Sequence, residues 1–440
     1  MKTLILDGSL INDPMGAQVA SALQADLAAR NWTSETIILR EQKIGNCAGD
    51  FFCWIRKPGV CNTDDDNRII AEKIVQSDLL IYLTPVTFGG YSSELKRAMD
   101  HQIQNISPFF TTVDGETHHQ KRYSKYPSVI TVGWADQPNA QAEAVFRHLV
   151  HRNAINMYSP ASVCGLVNRE AKLEDQLNAW LNQLEGGIST PVPDLPSPKL
   201  IHADPAPVCR AVLLVGSPRT KKSTSASLGG YLMEQLAARG IETETIQIYT
   251  TFNSAERTAL AFEKLDQADL VVLAFPLYVD SLPAPVIAAL EKIAAHRSSV
   301  KTSQRFVAIA NCGFPEAHHN DTALAICEEF SAQSGMTWLG SLSLGAGEGM
   351  VHGKPLNELG GQGASFRKSL DLAAAALVKG KSIPQQARDL LAKPLIPIWT
   401  YKFFGGIGWK QQAKKYGAQT IIKAQPYLVT NQEEVNHVTK

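Results

Sequence analysis

The chain has 440 residues, 44% of them hydrophobic and 19% charged, and its 42 basic and 42 acidic side chains cancel to a formal net charge of zero. This length suits two domains, each with its own core, and the composition excludes a disordered chain. The overall charge balance gives no electrostatic reason to expect a nucleic acid or an anionic membrane as partner.

The cysteines and the apolar runs indicate where the protein works. Seven cysteines, an odd number in a long chain, do not match the disulfide framework of a secreted protein. The first apolar run meets Asp7 too early for a signal peptide, and no run is long enough to cross a bilayer. We therefore expect a cytoplasmic protein without an integral membrane segment.

The first half of the chain alternates short apolar runs with helical patterns, which is typical of a parallel sheet with helices on both faces. Strands are predicted at residues 4–7, 36–39, 79–83, 129–132 and 157–163, and helices at 18–29, 67–76, 92–103, 141–151 and 173–184. A long loop, residues 40–66, carries Cys47, Cys53 and Cys61.

The second half repeats this order after a proline-rich stretch. Strands are predicted at residues 211–215, 243–248, 269–274, 306–310 and 337–344, and helices at 226–238, 255–265, 284–294, 321–334 and 364–378. The 24 residues from Ser77 align without a gap with those from Ala268, so the pattern predicts a domain duplication. We place domains at 1–187 and 209–385, a linker at 188–208 and a C-terminal extension at 386–440.

The extension has no counterpart in the first half and contains the most aromatic stretch of the chain, residues 395–409. One interpretation is an arm that packs on the domains or closes a site, and another is a membrane-surface anchor. Gly405 and Gly406 are expected to interrupt a continuous amphipathic helix, which favours packing.

Three loops at the carboxyl ends of the second-half strands should converge, because ligands of open parallel sheets bind there. Residues 217–225 offer hydroxyls, backbone N–H groups and Arg219 to a phosphate. Residues 276–282 offer an apolar and aromatic surface, and residues 311–316 offer small side chains. This combination predicts a site for a mononucleotide with a flat, uncharged ring. The glycines of 345–349 are interpreted as a flexible turn.

The pattern GSPR-x3-S-x-S, followed by A-D-L-V-V-x-A-x-P-x-Y, resembles the NAD(P)H-dependent FMN reductase family of flavodoxin-like proteins over most of 209–380. The resemblance implies an α/β protein made of two flavodoxin-like, doubly wound domains, each a five-stranded parallel sheet with helices on both faces. It also implies an FMN-dependent oxidoreductase that passes hydride from NAD(P)H to flavin N5 and then to a small-molecule acceptor. Quinones, azo and nitro compounds and free flavin remain open as acceptors, and the alternative is a non-catalytic, flavin-binding electron-transfer module.

The resemblance also carries over cofactor-binding residues, while no dedicated catalytic acid or base is assigned. The residues expected to bind the FMN phosphate are Ser217, Arg219, Ser223, Thr224 and Ser225. Those expected along the edge of the ring are Pro276, Leu277, Tyr278, Val279 and Asp280, and those expected on its other side are Asn311, Cys312 and Gly313.

The first half resembles the cysteine-loop branch of the same superfamily, whose iron–sulfur members use such cysteines as cluster ligands. Asp50 stands where a C-x-x-C partner belongs, so we expect buried or free thiols and no metal. The first-half phosphate loop lacks an arginine and contains Asp13, so we expect the first half to bind FMN weakly, to bind something else or to serve as a partner surface. One FMN per chain is the prediction. The halves are expected to form an intrachain pseudo-dimer, a homodimer remains possible, and both histidine pairs, 118–119 and 318–319, are expected to be exposed.

Overall fold

The protein folds into two α/β halves, seen in a computed structural model that describes residues 1–197, 207–299 and 303–428. Residues 198–206 of the predicted linker and residues 429–440 of the predicted extension lie outside the described residues. Within the described ranges, no helix combines the length and the apolar character needed to cross a membrane.

Each half is built on a five-stranded parallel sheet, and the first half also contains a separate two-stranded sheet. The strands are β1 (Lys2–Asp7), β2 (Thr33–Ile38), β3 (Leu79–Pro85), β4 (Ile106–Val113), β5 (Glu116–Lys121), β6 (Ser128–Trp134) and β7 (Ser162–Leu166) in the first half, and β8 (Arg210–Val215), β9 (Glu242–Gln247), β10 (Leu270–Pro276), β11 (Arg305–Asn311) and β12 (Thr337–Leu344) in the second. The sheet orders are β2-β1-β3-β6-β7 and β9-β8-β10-β11-β12, so the topology is the same in both halves.

Helices cover both faces of each sheet. They are α1 (Pro14–Ala29), α2 (Phe52–Ile55), α3 (Asn67–Val75), α4 (Ser93–Asp100), α5 (Ala140–Asn156), α6 (Leu173–Glu185), α7 (Thr224–Ala237), α8 (Ile248–Thr251), α9 (Ala255–Asp266), α10 (Ala284–Arg297), α11 (Asp321–Gln333), α12 (Gly347–Met350), α13 (Ala364–Leu377), α14 (Gln385–Ala392) and α15 (Ile398–Lys415).

The central strands β3 and β10 are buried on both faces, as their continuous apolar sequences require. Ile5 of β1 lies opposite Ile81 of β3, and Leu213 of β8 lies opposite Val272 of β10. Two doubly wound domains with five-stranded parallel sheets were predicted, and this prediction is confirmed.

The structure corrects three predicted elements. The strand predicted at 157–163 begins only at Ser162, because α5 continues to Asn156. Residues 106–121, for which the sequence predicts no strand or helix, form an antiparallel hairpin, β4–β5. The expected interruption at Gly405 and Gly406 is wrong, since α15 runs through both glycines.

The two halves pack through equivalent helices, α4 against α10 and α5 against α11. Asp100 at the end of α4 accepts a hydrogen bond from the Ala284 backbone N–H, at the start of α10 (2.8 Å). Its counterpart in the repeat alignment, Glu291, accepts from the backbone N–H and the hydroxyl of Ser93, at the start of α4 (3.1 and 2.7 Å). Each half therefore supplies a carboxylate to a helix N-terminus of the other, as expected for a two-fold arrangement.

Candidate functional site

A cavity of about 520 Å³ lies at the carboxyl ends of β10 and β11. Its walls come from the loops that follow these strands, from the first-half cysteine loop, from the β4–β5 hairpin and from α15. Cavities of this size hold cofactor-sized ligands, and doubly wound sheets bind ligands at this edge. Six of the thirteen predicted binding residues line the cavity: Leu277, Tyr278, Val279, Asp280, Cys312 and Gly313.

The turn after β10 is held in a strained conformation by the first half. Val279 and Asp280 both have left-handed backbones, with φ of 47° and 56°, which costs about 1–3 kcal/mol for each non-glycine residue. The side-chain amides of Asn153 and Asn156, both on α5, donate to the Asp280 carboxylate (2.9 and 2.6 Å). Contacts between the halves thus position one wall of the cavity.

The loop after β11 is anchored beneath the cavity. The Asn311 amide donates to the Ser225 hydroxyl and to the Phe275 carbonyl (2.9 Å each), so Asn311 supports the wall without lining it. Cys312 is buried, and burial raises the pKa of its thiol to about 12. A thiol that stays protonated near neutral pH is a poor nucleophile, so Cys312 contributes its small size to the wall.

The predicted phosphate loop lies beside the cavity, but none of its five predicted residues lines it, and neither does Pro276. Ser223 caps α7 by accepting a hydrogen bond from the Ala226 backbone N–H (3.1 Å), and Ser217, Thr224 and Ser225 are buried. The Thr224 hydroxyl donates to the Gly347 carbonyl (3.1 Å), which belongs to the glycine-rich loop 345–353. This loop therefore packs directly on the phosphate loop.

Arg219 joins the phosphate loop to the cavity through Glu348, which lines it. The guanidinium donates to both Glu348 carboxylate oxygens (2.8 Å each) and to the Gly49 carbonyl (3.1 Å). The glycine-rich loop can pack this closely on the phosphate loop only with a glycine at 353, because a Cβ on Gly353 would lie 2.4 Å from the Lys222 carbonyl oxygen. Arginine binds carboxylate and phosphate with similar geometry. Glu348 thus occupies the guanidinium that the sequence assigns to a phosphate.

These residues fit FMN. The Trp54 and Phe51 rings stack with centroids 5.2 Å apart, and Trp409 meets Trp54 edge-on, which gives the cavity an aromatic wall. At the other end, the side chains of Arg219 and Glu348 are 31% and 34% exposed. Because this ion pair is not deeply buried, a phosphate can exchange with the carboxylate without leaving a buried charge unpaired.

The equivalent loop of the first half is filled by its own side chains. Asp13 accepts hydrogen bonds from the Met15 backbone N–H, at the start of α1, and from the Trp134 indole (3.0 and 2.8 Å). A Cβ on Gly16 would lie 2.4 Å from the Ser9 Cβ, which shows how tightly the loop closes on the helix. An aspartate already satisfies this helix N-terminus, so an anion has no equivalent place there.

The cysteine loop contributes Cys47 to the cavity wall. Burial raises the pKa of Cys47 to about 12 and raises that of Cys53 as well. Burial also acts to raise the pKa of Cys61, but His101 outweighs it, since its Nδ1 lies 3.5 Å from Sγ, and the pKa is lowered. The Asp50 carboxylate accepts a hydrogen bond from the Phe52 backbone N–H (3.0 Å). Three thiols, two of them held neutral, do not make a four-thiolate cluster site, and we derive no chemistry through one.

The expectation that the histidine pairs are exposed is wrong for three of the four. His118 and His319 are 1% exposed and His119 is half-buried, whereas His318 is 47% exposed on its side chain. Arg152 of α5 donates to the His319 Nδ1 (2.9 Å), across the interface between the halves. Ligand atoms of Glu116, His318 and His319 lie within 4.8 Å of one another, but Arg152 already pairs with Glu116 and His319. A guanidinium among the ligands disfavours a cation, so this cluster is an ionic contact between the halves.

Several residues that line the cavity are not predicted from the sequence. Glu348 lies in the stretch expected to be a flexible turn, and Phe110 and His119 lie in the hairpin that the sequence does not predict. Asp114 and Gly115 between β4 and β5 are a strong hairpin signal that would have found it, since both have positive φ. Tyr401 and Trp409 of α15 line the cavity, and the Tyr401 hydroxyl donates to the Gly313 carbonyl (2.8 Å), so the extension does pack on the site.

The strand order, with a ligand-sized cavity at the carboxyl ends of the strands, defines a tandem flavodoxin-like protein. The family model of the NADPH-dependent FMN reductases matches residues 1–165 and 209–349, which is more than half of the chain. The chain therefore belongs to this family, in two copies, as the sequence predicted. Membership confirms the predicted family, whose cofactor is FMN.

Individual relatives are distant. An iron–sulfur flavoprotein of Methanocaldococcus jannaschii is 35% identical over 82 residues, 19% of this chain, and the match spans 41% of that protein. Among solved structures, an NAD(P)H:quinone oxidoreductase from Methanothermobacter marburgensis is 15% identical, with a TM-score of 0.31, over 39% of this chain and 96% of that one. An FMN-dependent NADH-azoreductase from Bacillus anthracis in complex with FMN is 12% identical, with a TM-score of 0.30, over 38% and 99%.

Proposed function

We propose that this protein is an FMN-dependent NAD(P)H oxidoreductase whose working flavin site is in the second half. The observation that supports this most is the pairing of Arg219, in the loop that leads into α7, with Glu348 on the wall of an aromatic-lined cavity. It places an anion-binding group beside a slot suited to a flat ring. Hydride transfer between a nicotinamide and an electron acceptor is the chemistry that FMN would supply there when bound.

The residues of the chain have separate roles in this proposal. Arg219 and the N-terminus of α7 hold the phosphate, after Glu348 releases the guanidinium. The turn 277–280 and residues 312–313 bind the ring, and the hydrogen bonds of Asn153 and Asn156 fix that turn. Trp54, Tyr401 and Trp409 exclude water from the far side of the cavity.

The first half serves the site rather than duplicating it. Asp13 occupies the helix N-terminus where a second phosphate would bind, while α5 and the cysteine loop complete the second-half cavity. We therefore propose one FMN per chain and a chain that works as an intrachain pseudo-dimer. The acceptor is a small, flat molecule, such as a quinone, an azo or nitro compound or free flavin, that enters the same cavity.

Anaerobic absorbance spectroscopy of the FMN-loaded protein tests this function. Bleaching of the flavin band on adding NADPH or NADH supports the oxidoreductase. Bleaching by dithionite alone indicates a flavin-binding electron carrier, and protein that cannot be loaded with FMN contradicts both functions. Turnover is then measured with a panel of quinone, azo and nitro acceptors, which assigns the acceptor class.

A further inference from the structure

The outer side of α15, together with the segment that leads into it, forms an exposed apolar surface. Trp399 is 72% exposed, and Phe403 and Phe404 are each 61% exposed. Trp399, Phe403 and Ile407 follow one another at intervals of four residues, so they share one side of the helix. The members of this surface, which we call the aromatic patch, are Leu395, Ile398, Trp399, Phe403, Phe404 and Ile407.

Packing among the residues that the structure describes does not account for the aromatic patch. The inner side of α15 is held by the Tyr401 hydrogen bond to Gly313, by Trp409 against Phe51, and by Ala413, which is fully buried. These contacts fix the helix without using the outer side chains. Exposed apolar surfaces of this kind on a folded domain mark interaction sites.

The segment that carries the aromatic patch has a strongly one-sided charge, although the whole chain is neutral. Residues 390–428 contain six lysines and neither aspartate nor glutamate. Five of these lysines are exposed, and the sixth, Lys402, reaches Thr112 from the side of the helix. The lysines are Lys393, Lys402, Lys410, Lys414, Lys415 and Lys423.

We propose that the aromatic patch and its lysines bind the surface of an anionic lipid bilayer. Tryptophan and phenylalanine insert favourably at the interface between headgroups and acyl chains, and each nearby lysine adds about 1 kcal/mol on an anionic membrane. Four lysines together with tryptophan and phenylalanine within α15 match the composition of helices that lie on a bilayer. The absence of acidic residues from 390–428 matches the negative charge of the lipid.

The position of the aromatic patch links the bilayer to the cavity. Phe404 is exposed and also lines the cavity, so the patch reaches the cavity rim. A bound bilayer would bring lipid-dissolved acceptors, such as quinones with apolar tails, next to the cavity. This consequence rests on the proposed function, whereas lipid binding itself does not.

Sedimentation of the full-length protein with vesicles tests the proposal without any nucleotide. Vesicles of phosphatidylcholine with phosphatidylglycerol should bind the protein, added salt should weaken binding, and phosphatidylcholine alone should bind much less. The double variant Trp399→Ser/Phe403→Ser should bind at least about tenfold more weakly. The double variant Lys410→Glu/Lys414→Glu should lose binding to a similar extent.

Matched controls separate the patch from apolar exposure in general. Ile11 is 80% and Leu260 50% exposed, far from α15 in sequence, and Ile11→Ser and Leu260→Ser should leave vesicle binding unchanged. Failure of the wild-type protein to bind phosphatidylglycerol vesicles overturns the proposal. A dimer in size-exclusion chromatography that Trp399→Ser/Phe403→Ser abolishes, without vesicle binding, would overturn it in favour of self-association.

Discussion

Removing the Glu348 carboxylate should tighten FMN binding, because this carboxylate competes with the phosphate for Arg219. In the structure the guanidinium donates two hydrogen bonds of 2.8 Å to Glu348. FMN binding through Arg219 requires that this pair first be broken. Glu348→Gln keeps the size of the side chain and removes the charge that holds the guanidinium.

The exposure of the pair sets the magnitude. About a third of each side chain is exposed, so solvent screens the attraction and the pair contributes about 0.5–1 kcal/mol. Since every 1.4 kcal/mol changes an affinity tenfold, Glu348→Gln should tighten FMN binding by about two- to fivefold. Loss of the repulsion between carboxylate and phosphate acts in the same direction.

Quenching of flavin fluorescence by the apoprotein measures this affinity. Riboflavin lacks the phosphate, so its affinity should not change in Glu348→Gln. Glu358→Gln, an identical charge change at an exposed residue ten positions further on, is the matched control and should alter neither affinity. Weaker FMN binding by Glu348→Gln, or an equal gain with riboflavin, would refute the competition.

Three further predictions test other parts of the site. Asp280→Ala removes the acceptor of two buried amides, so it should lower the free energy of unfolding in urea by about 2–4 kcal/mol, whereas Asp136→Ala, at an exposed ion pair, should change it by less than about 1 kcal/mol. An unchanged urea midpoint for Asp280→Ala would show that the turn does not depend on α5. Gly49→Ala should destabilise the protein more than Gly115→Ala, because both glycines have positive φ but only a Cβ at 49 would meet the Tyr278 hydroxyl, at 2.0 Å; equal thermal midpoints would contradict this. Cys61 should react with iodoacetamide near neutral pH faster than the exposed Cys209, because His101 lowers the pKa of the Cys61 thiol. Peptide mass mapping measures both rates, and His101→Gln should remove the difference between them. A Cys61 rate that is the same in His101→Gln would disprove the pairing.

Sequence reasoning succeeded where local pattern decides the structure. The apolar runs at 79–83 and 270–274 are buried on both faces, so their strand character follows from composition alone. The strand before residues 217–225 and the helix that begins within them follow from the same kind of local pattern, whereas phosphate binding by this loop stays a prediction.

Sequence reasoning failed where contacts between distant segments decide. The last turn of α5 carries Arg152, Asn153 and Asn156, polar residues that are buried against the other half. Polar side chains there look like the end of a helix until their partners, His319 and Asp280, are known. The role of Glu348 could not be recognised for a similar reason, since only the folded chain brings it to Arg219 over a separation of 129 residues.

The number of FMN molecules bound per chain, in the wild type and in two matched variants, tests whether the second half alone holds the flavin. Isothermal titration of the apoprotein with FMN should give one equivalent per chain. Arg219→Ala should weaken this binding at least about tenfold. Arg40→Ala removes the arginine that follows β2 and donates to the Ser9 hydroxyl of the first-half loop, and it should leave FMN binding unchanged. Two equivalents per chain, or one equivalent lost with Arg40→Ala and kept with Arg219→Ala, would contradict the account.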